Sequence, residues 1–144
     1  MIIRLLLCGF CFSICSSYAD EVIWKGKVDS SGIPTKLIDL KIHDQYQIKV
    51  SQYINLGKWV QASERLANDA CYQFDEKAKL SPHKYESIKN SHNISVCDGK
   101  YHDDHVYLSE PFIAKQNRIF FWIYDIDYDD NSGALDLEII HKSK

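Results

Sequence analysis

The chain has 144 residues, 45% hydrophobic and 26% charged, with a formal net charge of −3. That length suits one domain able to bury a core of its own. A mildly acidic chain with no Lys/Arg cluster is not built to coat a phosphate backbone or an anionic membrane surface, which argues against a nucleic-acid partner.

Residues 1–19 carry one charge, Arg4, then an apolar run over 5–14, then Ser16, Ser17, Tyr18 and Ala19. Ser17 and Ala19 occupy the −3 and −1 positions of a small-x-small cleavage site, the layout of a secretory signal. The run is shorter than the roughly 20 residues of a spanning helix, so no membrane span is expected. Lipidation is disfavoured, because Phe10 and Ile14 are large where they precede Cys11 and Cys15. The expected mature domain is 20–144, secreted or periplasmic. Cys8, Cys11 and Cys15 leave with the signal, and Cys71 and Cys97 remain. In an oxidising compartment these two predict a disulfide, worth roughly 3–4 kcal/mol on the chain-entropy view. With no CxxC and no second pair, a redox or metal role for them is weak.

Residues 22–28 alternate, with Val22, Trp24, Gly26 and Val28 on one face, the period of a strand. Residues 29–34 form a turn cluster. Tyr46, Ile48 and Val50 alternate with polar neighbours as a second strand. Residues 56–59 read as a turn into a short strand, and 63–70 as one helical turn or a loop. Residues 85–89 make a short strand, and 106–112 a strand with Pro111 near its end. The run 118–124 is apolar on both faces, which predicts a central strand. Residues 134–140 alternate again and read as its hairpin partner across the acidic segment 125–133. Short strands parted by polar turns, with no long helical period, predict an all-β sandwich in one domain.

The segment 125–133, Asp-Ile-Asp-Tyr-Asp-Asp-Asn-Ser-Gly, holds four carboxylates and an amide oxygen within seven residues. Ca²⁺ takes 6–8 oxygen ligands, and crowded carboxylates repel one another without a cation. The competing reading is a solvated turn, since Asp and Asn tolerate turn dihedrals. An EF-hand is excluded: Asp130 stands where the glycine belongs, Asp136 where the glutamate belongs, and strands flank the loop.

The order of these features resembles the PA-IL-type bacterial galactose lectins. The shared residues are Trp24-Lys25-Gly26 in the opening strand, Leu56-Gly57-Lys58-Trp59 after the second strand, Ile88-Lys89-Asn90-Ser91, and Asn131-Ser132-Gly133 before the last strand. The resemblance covers most of 20–144 at low identity. It implies a jelly-roll-like, galactose-binding-like β-sandwich with one Ca²⁺ per chain, whose shell is completed by sugar hydroxyls. By motif it implies Asp130 and Asn131 as ligands and Asp125 as the carboxylate bridging metal and sugar. Asp127 falls at a backbone-carbonyl position, and a further carbonyl comes from Leu56 or Asn55. The loop is two residues shorter than the family's before Asn131, so Asp125 and Asp127 both remain open as the bridging group. The family's His-Pro sugar contacts have no clear match over 61–68. Trp59, Tyr53 and Tyr101 are candidates for an aromatic wall, with core packing the competing role.

His102-Asp103-Asp104-His105 puts two histidines three apart, a metal pair on a helix. The nearby Gly99 and the strand that follows favour a turn. Asn93-Ile94-Ser95 is a glycosylation sequon, meaningful only in a eukaryotic secretory path. No Gly-x-Ser-x-Gly occurs, and carboxylates crowded in one loop are too close for glycoside hydrolysis, so no enzyme is expected. The leading expectation is a calcium-dependent, galactoside-type carbohydrate-binding protein, with oligomers as a route to avidity. The alternative is an exported protein-interaction module, an inhibitor or adaptor, that needs no metal.

Overall fold

The computed structural model describes residues 19–57, 67–75 and 81–143. The strands in chain order are β1 (Glu21–Asp29), β2 (Ile38–Asp39), β3 (Gln45–Ser51), β4 (Ile54–Asn55), β5 (Ala67–Asn68), β6 (Tyr72–Phe74), β7 (His83–Lys84), β8 (Ile88–Asn90), β9 (Tyr107–Leu108), β10 (Phe112–Ile113), β11 (Arg118–Ile119), β12 (Phe121–Ile123) and β13 (Ala134–His141). No helix occurs among the described residues, and so none long and apolar enough to cross a membrane. Residues 1–18, with the expected signal, and Trp59 lie outside the described residues.

The clean alternation of β3 and β13 builds the main sheet. Tyr46, Ile48 and Val50 of β3, and Leu135, Leu137 and Ile139 of β13, are each at most 2% exposed. Their neighbours along each strand stay half-exposed. β13 lies between β1 and β3, antiparallel to both, and β3 also pairs β9 and β10. Facing this layer are Ile38, Ile88, Ile119, Phe121 and Ile123, and the side chains of both layers form one cluster. A β-sandwich with a single core results. Each fully buried Ile, Leu or Phe adds roughly 1.5–3 kcal/mol of transfer free energy.

Four expectations need correction. The strand 118–124 is not buried on both faces. It splits into β11, paired with β2, and β12, paired with β8. Only Ile119, Phe121 and Ile123 enter the core, while Phe120 and Trp122 pack on each other outside, ring centroids 5.6 Å apart. Nor is it the hairpin partner of β13, because both edges of β13 are taken by β1 and β3. The acidic loop therefore crosses from one sheet to the other. Val22 leaves the inward face of β1, since a bulge between Val22 and Trp24 shifts the register and exposes it by 40%. The strand over 106–112 breaks at Glu110 and Pro111 into β9 and β10, as Pro has no N–H to donate.

The described end of the segment read as a helical turn or loop is β5, held between β4 and β6 in a second antiparallel sheet, β4-β5-β6-β7. Cys71, in the turn between β5 and β6, is disulfide-bonded to Cys97.

Candidate functional site

The acidic loop leaves β12 and folds back on itself through Tyr128. The Tyr128 hydroxyl accepts from the Asp125 backbone N–H at 3.0 Å and donates to the Ile123 carbonyl at 3.2 Å. Its ring lies against Gly32 of the first turn. A two-way backbone bridge then fastens the far end of the loop to β4. Asn55 N donates to Ser132 O at 3.0 Å, and Ser132 N to Asn55 O at 2.9 Å. This bridge brings the turn that follows β4 up to the loop. Gly57 has a φ of +77°, and a Cβ at that position would collide with the Asp130 carboxylate. Glycine is required both by the left-handed backbone and by the close approach of Asp130. The Asn55 side chain stabilises the same turn by accepting from Gly57 N at 2.8 Å.

Two oxygens of the loop stand out. Asp125 Oδ1 accepts from Ile126 N at 2.7 Å, whereas Oδ2 is buried with no hydrogen-bond partner. Asn131 Nδ2 donates to the Ser30 carbonyl at 3.0 Å, which leaves Oδ1 buried and likewise unpartnered. An unpartnered buried acceptor forfeits about 1–3 kcal/mol, more when charged. Asp127 differs. It is exposed, and its carboxylate accepts from Asp129 N at 3.1 Å within its own turn. Of the two residues left open as the bridging carboxylate, Asp125 therefore has the open, sheltered oxygen. The Asn55 carbonyl is engaged with Ser132, and Leu56, the other carbonyl candidate, lies buried beside Gly57.

The negative field of the loop reaches Tyr85, whose phenol is raised above its ordinary value by burial first and by Asp125 next. Among the described residues no group of three or more His, Cys, Asp and Glu side chains is gathered as a metal cage. The polar side chains over 125–131 are carboxylates, one amide and one phenol, groups of the kind that hard cations take, with no His or Cys among them.

The His102–His105 segment forms the expected turn, with His105 N donating to His102 O at 2.9 Å. The two histidines part company there. His102 Nε2 lies 2.9 Å from the Asp98 carboxylate, and His105 Nδ1 lies 3.1 Å from buried Asp69. Asp69 escaped the sequence reading altogether, since nothing near it in the chain marks it. Its partners Tyr107 and His105 lie 38 and 36 residues away.

The fold and the loop together define a disulfide-stapled β-sandwich that carries an oxygen-rich crossing loop. No family model, no curated protein and no solved structure matches the chain.

Proposed function

We propose that the protein is a calcium-dependent carbohydrate-binding protein of the galactoside-binding, jelly-roll type, acting outside the cytoplasm. The observation that carries the reading is the pair of sheltered acceptors without donors, Asp125 Oδ2 and Asn131 Oδ1, on a loop of four carboxylates. A cation relieves both, and the Asp130 carboxylate and the Leu56 carbonyl complete the protein's share. Calcium bound there supplies open coordination positions that two vicinal sugar hydroxyls fill. Carboxylates beside it accept the hydroxyl protons as charge-assisted hydrogen bonds. The reading is one of binding without catalysis. The signal-like N-terminus and the disulfide support a secreted or periplasmic location, and a weak single site would gain from assembly into homo-oligomers.

Titration calorimetry of Ca²⁺ into the EDTA-stripped protein, followed by galactosides in calcium, tests this. One-to-one calcium binding with a raised melting temperature is expected. Asp130→Ala is expected to keep the fold and lose calcium and sugar binding together. Sugar binding by that variant that survives EDTA would refute the reading.

A second reading has its own observation. Tyr124 and Ile126 flank Asp125 at 53% and 90% exposure, an apolar tip beside the carboxylates. An exported interaction module would present that tip to a partner protein without metal. An envelope or host protein retained in EDTA, and lost on Ile126→Asp, would favour it.

A further inference from the structure

The turn that follows β1 touches the acidic loop at three places, although Ser30 and Asn131 are 101 residues apart in the chain. Asp29 Oδ1 accepts from Ser31 N at 2.9 Å, which closes the turn. Ser30 is buried, at 2% exposure. Its N–H donates to the Gly133 carbonyl at 3.1 Å, and its own carbonyl accepts from Asn131 Nδ2 at 3.0 Å. Gly32 has a φ of +76°, and a Cβ there would stand 2.4 Å from Cε1 of Tyr128. No side chain fits between the two residues, so the glycine forms a socket for the phenol ring.

Both side chains on which the calcium reading rests are held from this turn. Asn131 is held directly. The Ser30 carbonyl only accepts, so the amide nitrogen of Asn131 faces it, and Oδ1 diverges from the same carbon in a fixed direction. Asp125 is held through Tyr128. With its ring in the Gly32 socket, the Tyr128 hydroxyl accepts from Asp125 N at 3.0 Å and donates to the Ile123 carbonyl at 3.2 Å. Asp125 Oδ1 then accepts from Ile126 N at 2.7 Å, which sets the direction of Oδ2. The Asn55–Ser132 bridge holds the far end of the loop from the other side. Every one of these contacts runs from protein to protein, so the pose forms without a ligand.

We propose that the first turn, 29–32, together with Tyr128, is the positioning element of the acidic loop and holds Asp125 and Asn131 in their binding pose before a ligand arrives. Gly32 and Tyr128 are positioning residues in this scheme, and neither is a ligand. What the pose binds rests on the calcium reading above. The new element is that the site is preformed, so that binding has little of the loop left to order.

Backbone NMR relaxation in EDTA tests the pose, and calorimetry with Ca²⁺ alone tests its use. In EDTA, Asp125, Ile126 and Asn131 are expected to show order parameters near the roughly 0.85 of rigid backbone. Tyr128→Phe keeps the ring in its socket and removes both hydroxyl bonds. It should lower the values at Asp125 and Ile126, leave β13 unchanged, and weaken calcium binding about five-fold or more. A hydroxyl with only a structural role would lower the melting temperature and leave calcium affinity alone. Gly32→Ala displaces the ring and should act in the same direction, and the two affinity losses should not add. Should Gly32→Ala fail to fold, Tyr128→Phe decides alone. The proposal is overturned if 125–131 is flexible in EDTA and becomes rigid only with calcium, or if Tyr128→Phe leaves either the order parameters or the calcium affinity unchanged. A loop that is rigid in EDTA yet takes no calcium refutes the calcium reading and reduces the first turn to a structural brace.

Discussion

Asp125 illustrates what the calcium site proposed above costs the fold that carries it. One oxygen is satisfied by Ile126 N at 2.7 Å, and the other is sheltered with no donor. A buried carboxylate oxygen in that state opposes folding, and in the proposed site a cation relieves it. Asp125→Asn removes the charge while nearly keeping the shape. In EDTA the variant is expected to match or exceed the parent's stability, by up to about 2 kcal/mol, because a neutral amide is less costly to leave unpaired. Its calcium affinity should fall ten-fold or more, and the calcium-induced rise in melting temperature should vanish. Paired melts in EDTA and in calcium check both halves, and a variant less stable than the parent in EDTA would show that the carboxylate is already satisfied. The acidic loop was legible in the sequence because its signal is local: four carboxylates and an amide in seven residues. The contrast between Asp125 and Asp127 was not legible. It arises from Tyr128 folding the loop back onto Asp125 N while Asp127 closes a small turn of its own. Asp69 and His105 were less visible still, being 36 residues apart and joined only by the fold.

At the scale of elements, period-two alternation foretold β1, β3 and β13 and named their inward residues correctly from Trp24 onward. It said nothing of pairing, and the expected hairpin between 118–124 and 134–140 failed for that reason. The outward faces hold a clue to the true pairing. Lys25, Glu138 and Lys49 stand directly opposite one another across β1, β13 and β3, with Glu138 2.8 Å from Lys25 and 3.5 Å from Lys49. Opposite charges placed so across strands favour the register. The hydrogen bond from Lys25, ahead of the Lys49 charge, holds Glu138 below the usual carboxylate range. The lowered value means that the folded state binds the proton less tightly than the unfolded state. The contribution is therefore present above the ordinary glutamate range and is lost as pH falls through the folded value. Glu138→Gln is expected to cost at most about 1 kcal/mol at neutral pH and low salt, because Lys25 is largely exposed and Lys49 half-exposed. The gap between variant and parent should close in acid and shrink in high salt. Urea melts across pH and salt check this, and a gap that held constant into acid would assign the effect to packing.

The whole molecule divides its stability between two kinds of support. The five-stranded sheet and the strands facing it stand on apolar burial, with Val28, Ile48, Val50, Leu135 and Ile139 all fully enclosed. The smaller sheet, β4-β5-β6-β7, is made of two- and three-residue strands and encloses polar groups, among them Asn68, Asp69 and Gln73. Its ordering leans on the Cys71–Cys97 bond, which fastens the β5–β6 turn to the chain that leads into the His102–His105 turn. The two cysteines are 26 residues apart, and closing such a loop in the unfolded chain is worth roughly 3–4 kcal/mol. Replacing both cysteines by serine should remove about that much, and unevenly. Amide exchange is expected to quicken across β5, β6 and residues 98–107, where Asp69 gathers its partners, while β1, β3 and β13 stay protected. In the proposed site calcium should still raise the melting temperature of the variant, because the oxygens of the acidic loop hang from β12 and β13. Uniform loss of protection across both sheets would instead mean that the sandwich opens as one cooperative unit, with the disulfide supporting the whole core and not the smaller sheet alone.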